Sequence, residues 1–100
     1  MNEPEAKLPY SLFKGKAGGF LILEFPKSKI ALPYIALRQI TLHEGPERIV
    51  MEFTEQNIEV QGKGLDSVFG FLATLQVEAL RVGIYNRDGK VECEIQRIEP

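Results

Sequence analysis

The side chains that most often perform chemistry are scarce in this chain, which has one histidine and one cysteine. His43 stands at the end of a predicted strand, beside a turn signal, with no second histidine or cysteine nearby. Because metal sites usually need three or four clustered ligands, we interpret His43 as an ordinary exposed side chain. Cys93 has the inward parity of the last predicted strand, where cysteine acts as a small apolar residue. The sequence therefore predicts no catalytic residue, no metal site and no cofactor.

Acid–base catalysis by carboxylates that are distant in sequence but meet in the fold stays open at this level. No pair of acidic residues stands out in the sequence as such a couple. We therefore expect a protein that is not an enzyme.

The segment QGKGLDS, residues 61–67, is the motif closest to a known binding site. A strand, a Gly-Lys-Gly sequence and a helix N-terminus form the arrangement that binds phosphate. The dinucleotide fingerprint requires a glycine where Ser67 stands, and the P-loop requires Ser or Thr directly after the lysine. Asp66 also places a negative charge where an anion would bind. The pattern favours a plain strand-to-helix turn and leaves anion binding by this turn open.

Composition predicts one folded domain spanning residues 1–100, with 44% hydrophobic and 26% charged residues. The net charge of −2 provides no electrostatic reason to expect a nucleic-acid or membrane partner. The longest dense apolar run, 20–23, is far shorter than the roughly 20 residues of a membrane-spanning helix. The acidic N-terminus lacks the pattern of a secretory signal, and a lone cysteine fits a reducing compartment. We expect a cytoplasmic location.

Residues 1–18 are rich in proline and glycine and form a candidate mobile N-terminal arm. Lys7, Lys14 and Lys16 make this arm basic. A solubilising tail is the favoured interpretation, and a binding arm is the alternative.

Apolar alternation predicts strands on both sides of a single helix. The predicted strands span 20–25, 29–32, 34–44, 48–53, 58–62, 79–85 and 90–98. The apolar parity of the third strand changes at Arg38 and Gln39, which predicts a β-bulge there or one helical turn near 34–37. The strand 58–62, the helix and the strand 79–85 resemble a right-handed crossover, whose two strands would be parallel.

The helix is predicted over about 66–76, with a capping side chain at Asp66 or Ser67. Its apolar face carries Leu65, Val68, Phe69, Leu72 and Leu75. The fold class predicted is α+β, a curved, mainly antiparallel sheet or partial barrel of six to seven strands with one amphipathic helix, followed by a C-terminal hairpin.

The C-terminal hairpin is predicted to turn at Asp88 and Gly89, because an Asp-Gly pair suits a type I′ turn. The two-residue turn places Ile84 opposite Cys93, so that both side chains face the core.

The helix face opposite the core carries only short side chains, and the strand 20–25 is apolar on both faces. These surfaces are covered either by the N-terminal segment of the same chain or by a second molecule. The second interpretation predicts an interface formed by Phe20, Ile22, Ser67, Gly70, Phe71, Ala73 and Thr74.

Together these features predict a small non-enzymatic protein-interaction or assembly module that acts as a homo-oligomer. Its expected partner is itself or another protein, and not a nucleic acid or a membrane. The alternative is a small-molecule or peptide-binding domain that uses the mouth of the curved sheet, where Tyr10, Phe13, Pro33 and Tyr34 are the motivating residues.

Overall fold

The computed structural model describes residues 8–15 and 18–100. Within these ranges the chain forms nine strands, one α-helix and one 3₁₀ turn, Tyr34–Ala36. The strands are β1 Tyr10–Leu12, β2 Phe20–Phe25, β3 Ser28–Pro33, β4 Leu37–His43, β5 Arg48–Phe53, β6 Asn57–Lys63, β7 Val77–Arg81, β8 Gly83–Arg87 and β9 Lys90–Glu99, and the helix α1 is Asp66–Ala73.

The described strands form two sheets that do not close into a barrel. One sheet has the strand order β1-β7-β2-β3, and the other has the order β4-β5-β6-β9-β8. All described strand pairs are antiparallel except β2 with β7. The predicted α+β class with a mainly antiparallel arrangement is confirmed.

The described chain has nine strands where the sequence predicted six or seven. One additional strand, β1, lies inside the segment predicted as an N-terminal arm and pairs with β7. Another arises because the predicted strand 79–85 bends at Val82 and continues in the other sheet. Residues 1–7 and 16–17 of the predicted arm lie outside the described residues.

The expected parallel crossover between β6 and β7 is wrong. These two strands belong to different sheets, because β5 and β9 already occupy both edges of β6. The parallel partner of β7 is β2, with Ile22 opposite Ala79. The helix therefore connects the two sheets instead of crossing over within one.

Both features proposed for the parity change before β4 are present. The 3₁₀ turn Tyr34–Ala36 links β3 to β4, and a bulge follows where the β4–β5 register shifts between Leu37 and Gln39. The bulge restores the apolar side chains of β4 to the interior, since Ile40 faces Met51 across the ladder.

One hydrophobic core lies between the inner faces of the two sheets and the inner face of α1. Its fully buried aliphatic side chains come from both sheets and the helix, among them Leu21, Leu23, Ile49, Ile58, Leu65, Val68, Leu72, Leu80 and Ile95. Tyr34 is also buried and donates a hydrogen bond from its hydroxyl to the Val77 carbonyl oxygen at 2.5 Å. This bond joins the 3₁₀ turn to the start of β7.

The helix begins at Asp66 as predicted and ends at Ala73, three residues before the predicted end. Leu75 has a φ of 59°, which reverses the chain after the helix. The Gln76 amide donates to the Phe71 carbonyl at 2.9 Å and the Leu75 amide donates to the Leu72 carbonyl at 3.0 Å, which is a Schellman C-cap. Within the described residues, no helix has the length and apolarity that crossing a membrane requires.

The predicted hairpin turn is confirmed at Asp88 and Gly89, which both have positive φ. The predicted register is confirmed next to the turn, at Arg87 and Asn86, and is wrong by one residue beyond them, because a bulge in β9 shifts the pairing between Asn86 and Tyr85. Tyr85 therefore pairs with Cys93, and Ile84 faces outward. Ile84 and Tyr85 thus occupy the opposite faces from those predicted.

Candidate interaction surfaces

The Gly-Lys-Gly turn before the helix already binds an anionic group from the same chain. The carboxylate of Glu47 accepts hydrogen bonds from the backbone amides of Gly64 at 3.2 Å and Leu65 at 2.9 Å. Backbone amides at a helix start are the groups that would bind phosphate. The geometry therefore agrees with the plain strand-to-helix turn favoured by the sequence.

The two glycines of this turn are explained by the close approach of the end of β6 to its neighbouring strand β9. A Cβ on Gly62 would lie 1.9 Å from the Glu94 carbonyl oxygen, and one on Gly64 would lie 2.2 Å from the Glu92 carbonyl oxygen. Gly64 also has a φ of +64°, which a side chain disfavours. The glycines thus allow two backbones to approach, and their spacing does not require a ligand.

Cys93 is buried, as its parity predicted, and its thiol is a poor nucleophile. Burial, with smaller contributions from Glu47 and Glu92, raises the pKa of the thiol to about 11. His43 is exposed at the end of β4, on a different strand from Cys93. Across residues 8–15 and 18–100, no three His, Cys, Asp or Glu side chains form a group that could hold a metal ion.

The strand part of the predicted interface lies on the outer face of β2. Leu21 and Leu23 point inward and are fully buried, whereas the outward Phe20 is 53% exposed and Ile22 is half-buried. In the β2–β3 ladder these two outward residues pair with Pro33 and Ala31. Phe20, Ile22, Ala31 and Pro33 together form an outer apolar surface, which we call the β2–β3 patch.

The β2–β3 patch ends in charged residues of both signs. Glu24 accepts a hydrogen bond from Arg81 Nε at 3.0 Å and faces Lys29 across the ladder. Arg81 also donates to the Ser11 hydroxyl at 2.6 Å and to the Leu8 carbonyl at 2.7 Å. These bonds hold β1, β2 and β7 together beside the patch.

The helix part of the predicted interface is a separate surface, since α1 packs chiefly against β4 and β7 rather than β2. Ser67, Gly70, Ala73 and Thr74 are exposed, as expected for the face opposite the core. Phe71 is half-buried, and its ring packs against Tyr10 with a centroid distance of 5.7 Å. The strand residues and the helix residues of the predicted interface thus lie on two different elements, β2 and α1.

The sequence analysis missed Ile35, which is 95% exposed in the 3₁₀ turn and is the most exposed large apolar side chain of the described residues. It borders an apolar cleft of about 360 Å³. The other lining residues are Leu32, Pro33, Ala36, Phe53, Thr54, Glu55 and Gln56. The signal in the sequence was the parity change at Arg38 and Gln39, which predicted a bulge or a helical turn near 34–37, because a helical turn in an extended segment directs one apolar side chain away from the core.

A polar cleft of about 400 Å³ adjoins the apolar one and shares Phe53 and Thr54 with it. The residues that line only the polar cleft are Arg38, Gln39, Glu52 and Asn57. Gln39 Nε2 donates to Glu52 at 3.0 Å, so this carboxylate already has a partner. We call the two volumes together the composite cleft.

Arg38 differs from the other arginines of the chain. Four arginines form ion pairs with glutamates: Arg48 with Glu59, Arg81 with Glu24, Arg87 with Glu92 and Arg97 with Glu99. Arg38 has no such pair within the described part of the chain. It stands at the β4 bulge, at the polar end of the composite cleft.

The aromatic residues that suggested a binding mouth are used for packing. Tyr34 is buried with its hydroxyl bonded to Val77, and burial raises its pKa. Tyr10 packs against Phe71, and Phe13 is half-buried against the core. The open volume near Pro33 is the composite cleft and not an aromatic mouth.

Comparison with protein families, curated proteins and solved structures finds no match to this chain. The function is therefore argued from these surfaces alone.

Proposed function

We propose that this protein is a non-enzymatic interaction and assembly module of the cytoplasm that associates with a second copy of itself. The observation that carries the proposal is Phe20, which is 53% exposed on the outer face of a strand whose inner face is fully buried. A strand that is apolar on both faces is usually covered on both. Among the described residues, the outer face of β2 is covered only in part, since Ile22 is half-buried and Phe20 is exposed.

The chemistry of the β2–β3 patch suits a second copy. A twofold contact places the same surface on both subunits, so the surface must be complementary to itself. The apolar end would meet an apolar end, and the charged end carries Glu24 with Arg81 and Lys29, so that neither sign dominates. A net charge of −2 per chain also produces little repulsion between copies.

Gly70 supports a second contact through the helix. A Cβ at this position would meet no atom within 4 Å, so no close approach among the described residues requires glycine there. Glycine in a helix interior costs about 0.5–1 kcal/mol relative to alanine. The close approach of a partner backbone along Ser67, Gly70, Ala73 and Thr74 would account for this cost.

The test is the mass of the protein in solution by light scattering after size exclusion, at several concentrations. We expect a multiple of 11.3 kDa for the wild type and a shift toward the monomer for Phe20→Ser. Val91→Ser is the matched control, since Val91 is an exposed apolar residue on β9. Ala73→Arg tests the helix surface in the same way. A monomeric wild type at all concentrations would refute self-association.

The composite cleft favours a second function, the binding of a small molecule or peptide. Its volume lies in the range of known ligand sites, and it combines an apolar lining with a few polar groups. A thermal-shift screen of metabolites and short peptides tests this function. Stabilisation that is lost in an Ile35→Asp variant would support binding in the cleft, and no stabilising compound would argue against it.

A further inference from the structure

We propose that the composite cleft binds an extended peptide segment of another protein, in which an aliphatic side chain lies between an acidic and a basic one. This inference rests on the second proposed function and assigns its ligand class. It does not depend on self-association through the β2–β3 patch.

The centre of the cleft selects an aliphatic side chain. Ile35, Pro33 and Phe53 line the apolar half, and Phe53 continues into the polar half. Ile35 is 95% exposed, so a bound side chain would remove apolar surface of both partners from water. Burial of one such side chain contributes a large share of the affinity of a short peptide.

The polar end selects an acidic side chain. Arg38 lines only the polar half and has no ion-pair partner among the described residues. It follows the 3₁₀ turn at a β-bulge, a feature that redirects side chains and is frequent beside binding sites. Glu52 lines the same half, but it accepts a hydrogen bond from Gln39 Nε2 at 3.0 Å. This hydrogen bond leaves Glu52 negatively charged, and Arg38 is the one cation among the described residues that lines the polar half and would bind a ligand carboxylate.

The opposite end selects a basic side chain. Glu55 is exposed and lines only the apolar half, beside Gln56. Arg38 lines only the polar half and Glu55 only the apolar half, and the two halves share Phe53 and Thr54, so the composite cleft carries opposite charges in its two halves. A ligand with the complementary order of charges satisfies both ends, whereas a ligand with two like charges meets repulsion at one of them.

Backbone recognition favours a peptide over a small acid. Asn57 lines the polar half with a side-chain amide, which can donate to and accept from an extended backbone. The Gln39 Nε2 already donates to Glu52 and Thr41, so Gln39 offers its amide oxygen as an acceptor.

The experiment is an NMR titration of the full chain with three capped pentapeptides. The first is Gly-Glu-Leu-Lys-Gly, the second replaces its glutamate with glutamine, and the third replaces its leucine with glycine. We expect saturable shifts of the Ala36, Phe53 and Thr54 amides with the first peptide. Each of the other two peptides should bind about tenfold more weakly.

A double-mutant cycle then isolates the predicted charge pair. In Arg38→Gln, the change from glutamate to glutamine in the peptide should no longer reduce affinity. Arg87→Gln is the matched control, since Arg87 lies at the end of β8 in an ion pair with Glu92. The control variant should retain the full preference for glutamate.

Three outcomes would overturn the proposal. Equal affinity for the glutamate and glutamine peptides would refute the role of Arg38 while leaving binding in the cleft intact. No shift with any peptide would also refute the second proposed function. Equal binding by 4-methylpentanoate, a small acid with the same apolar group, would refute the choice of a peptide. The same titration with Phe20→Ser shows whether self-association affects any of these results.

Discussion

Glu47 illustrates at the level of one residue how the chain satisfies its own polar groups. Its carboxylate accepts two backbone hydrogen bonds at the start of α1, and it lies 17 and 18 positions away from their donors. The Leu65 N-cap has no side-chain bond of its own. Glu47 therefore performs the role of a capping side chain from a distant turn.

We predict that Glu47→Ala lowers the free energy of unfolding by about 1–2 kcal/mol, as the loss of a helix cap does. Glu47→Gln keeps an acceptor oxygen and should lose less. Urea denaturation of both variants measures the effect. Unchanged midpoints in both would show that the two hydrogen bonds contribute nothing net to stability.

Cys93 makes the free energy of unfolding depend on pH in the alkaline range. The pKa of its thiol is raised from 9.0 to about 11 in the folded chain, mainly by burial. The thiol therefore contributes stability that is fully present below pH 9 and is lost as pH rises from about 9 to 11. The pKa of Tyr34 is also raised by burial, which adds to the loss at the upper end of this range.

We predict that the wild type loses stability between pH 9 and pH 11 more steeply than Cys93→Ala does. The measurement is the free energy of unfolding in urea across this range, compared as slopes because alanine also leaves a small cavity. Parallel slopes for the two proteins would contradict the burial effect on the thiol.

At the scale of elements, the end of α1 combines a standard capping motif with an unfavourable residue. Schellman caps normally place glycine at the left-handed position, because a Cβ is disfavoured there. Leu75 occupies this position with a φ of 59° and is 41% exposed, so its side chain contributes limited burial in return.

We predict that Leu75→Gly raises the free energy of unfolding by about 0.5–1 kcal/mol, since the left-handed conformation no longer strains a side chain. Leu75→Ala keeps the Cβ and should not be stabilising. Thermal and urea unfolding of both variants tests this difference. Equal stability of the glycine and alanine variants would show that the backbone conformation is not the cause.

At the scale of the whole molecule, one core occupies the space between two sheets and a short helix, and two of the outer surfaces are candidates for self-association. The β2–β3 patch and the small-residue face of α1 lie on different elements. If both bind a second copy, the assembly uses two contacts, and each can be weakened separately.

We predict opposite effects of Gly70→Ala on stability and on association. The isolated chain should gain about 0.5–1 kcal/mol, because alanine is the better helix former and its methyl group meets open space. Association through the helix should weaken, because the methyl group separates the two backbones. Denaturation at low concentration and light scattering at high concentration measure the two effects. Unweakened association would remove the helix from the interface.

The parts of the candidate site that depend on apolar alternation within one strand could be predicted from the sequence. The parity change around Arg38 and Gln39 predicted the bulge, and alternation correctly separated inward Leu21 from outward Phe20. The composite cleft could not be predicted, because its two halves combine residues from the β3–β4 connection with residues from the β5–β6 turn. Neither segment alone indicates that they meet.

The sequence by itself determined the α+β class, the helix start at Asp66 and the Asp88–Gly89 turn, because apolar period, capping and positive φ act over a few neighbouring residues. Only the tertiary structure decided which sheet each strand joins and which residues meet Glu47. It also decided the β8–β9 register, since one bulge inverts the faces of every side chain beyond it. Such pairings depend on which strand edges are free and on the space that distant segments leave. A local sequence pattern contains no information about either.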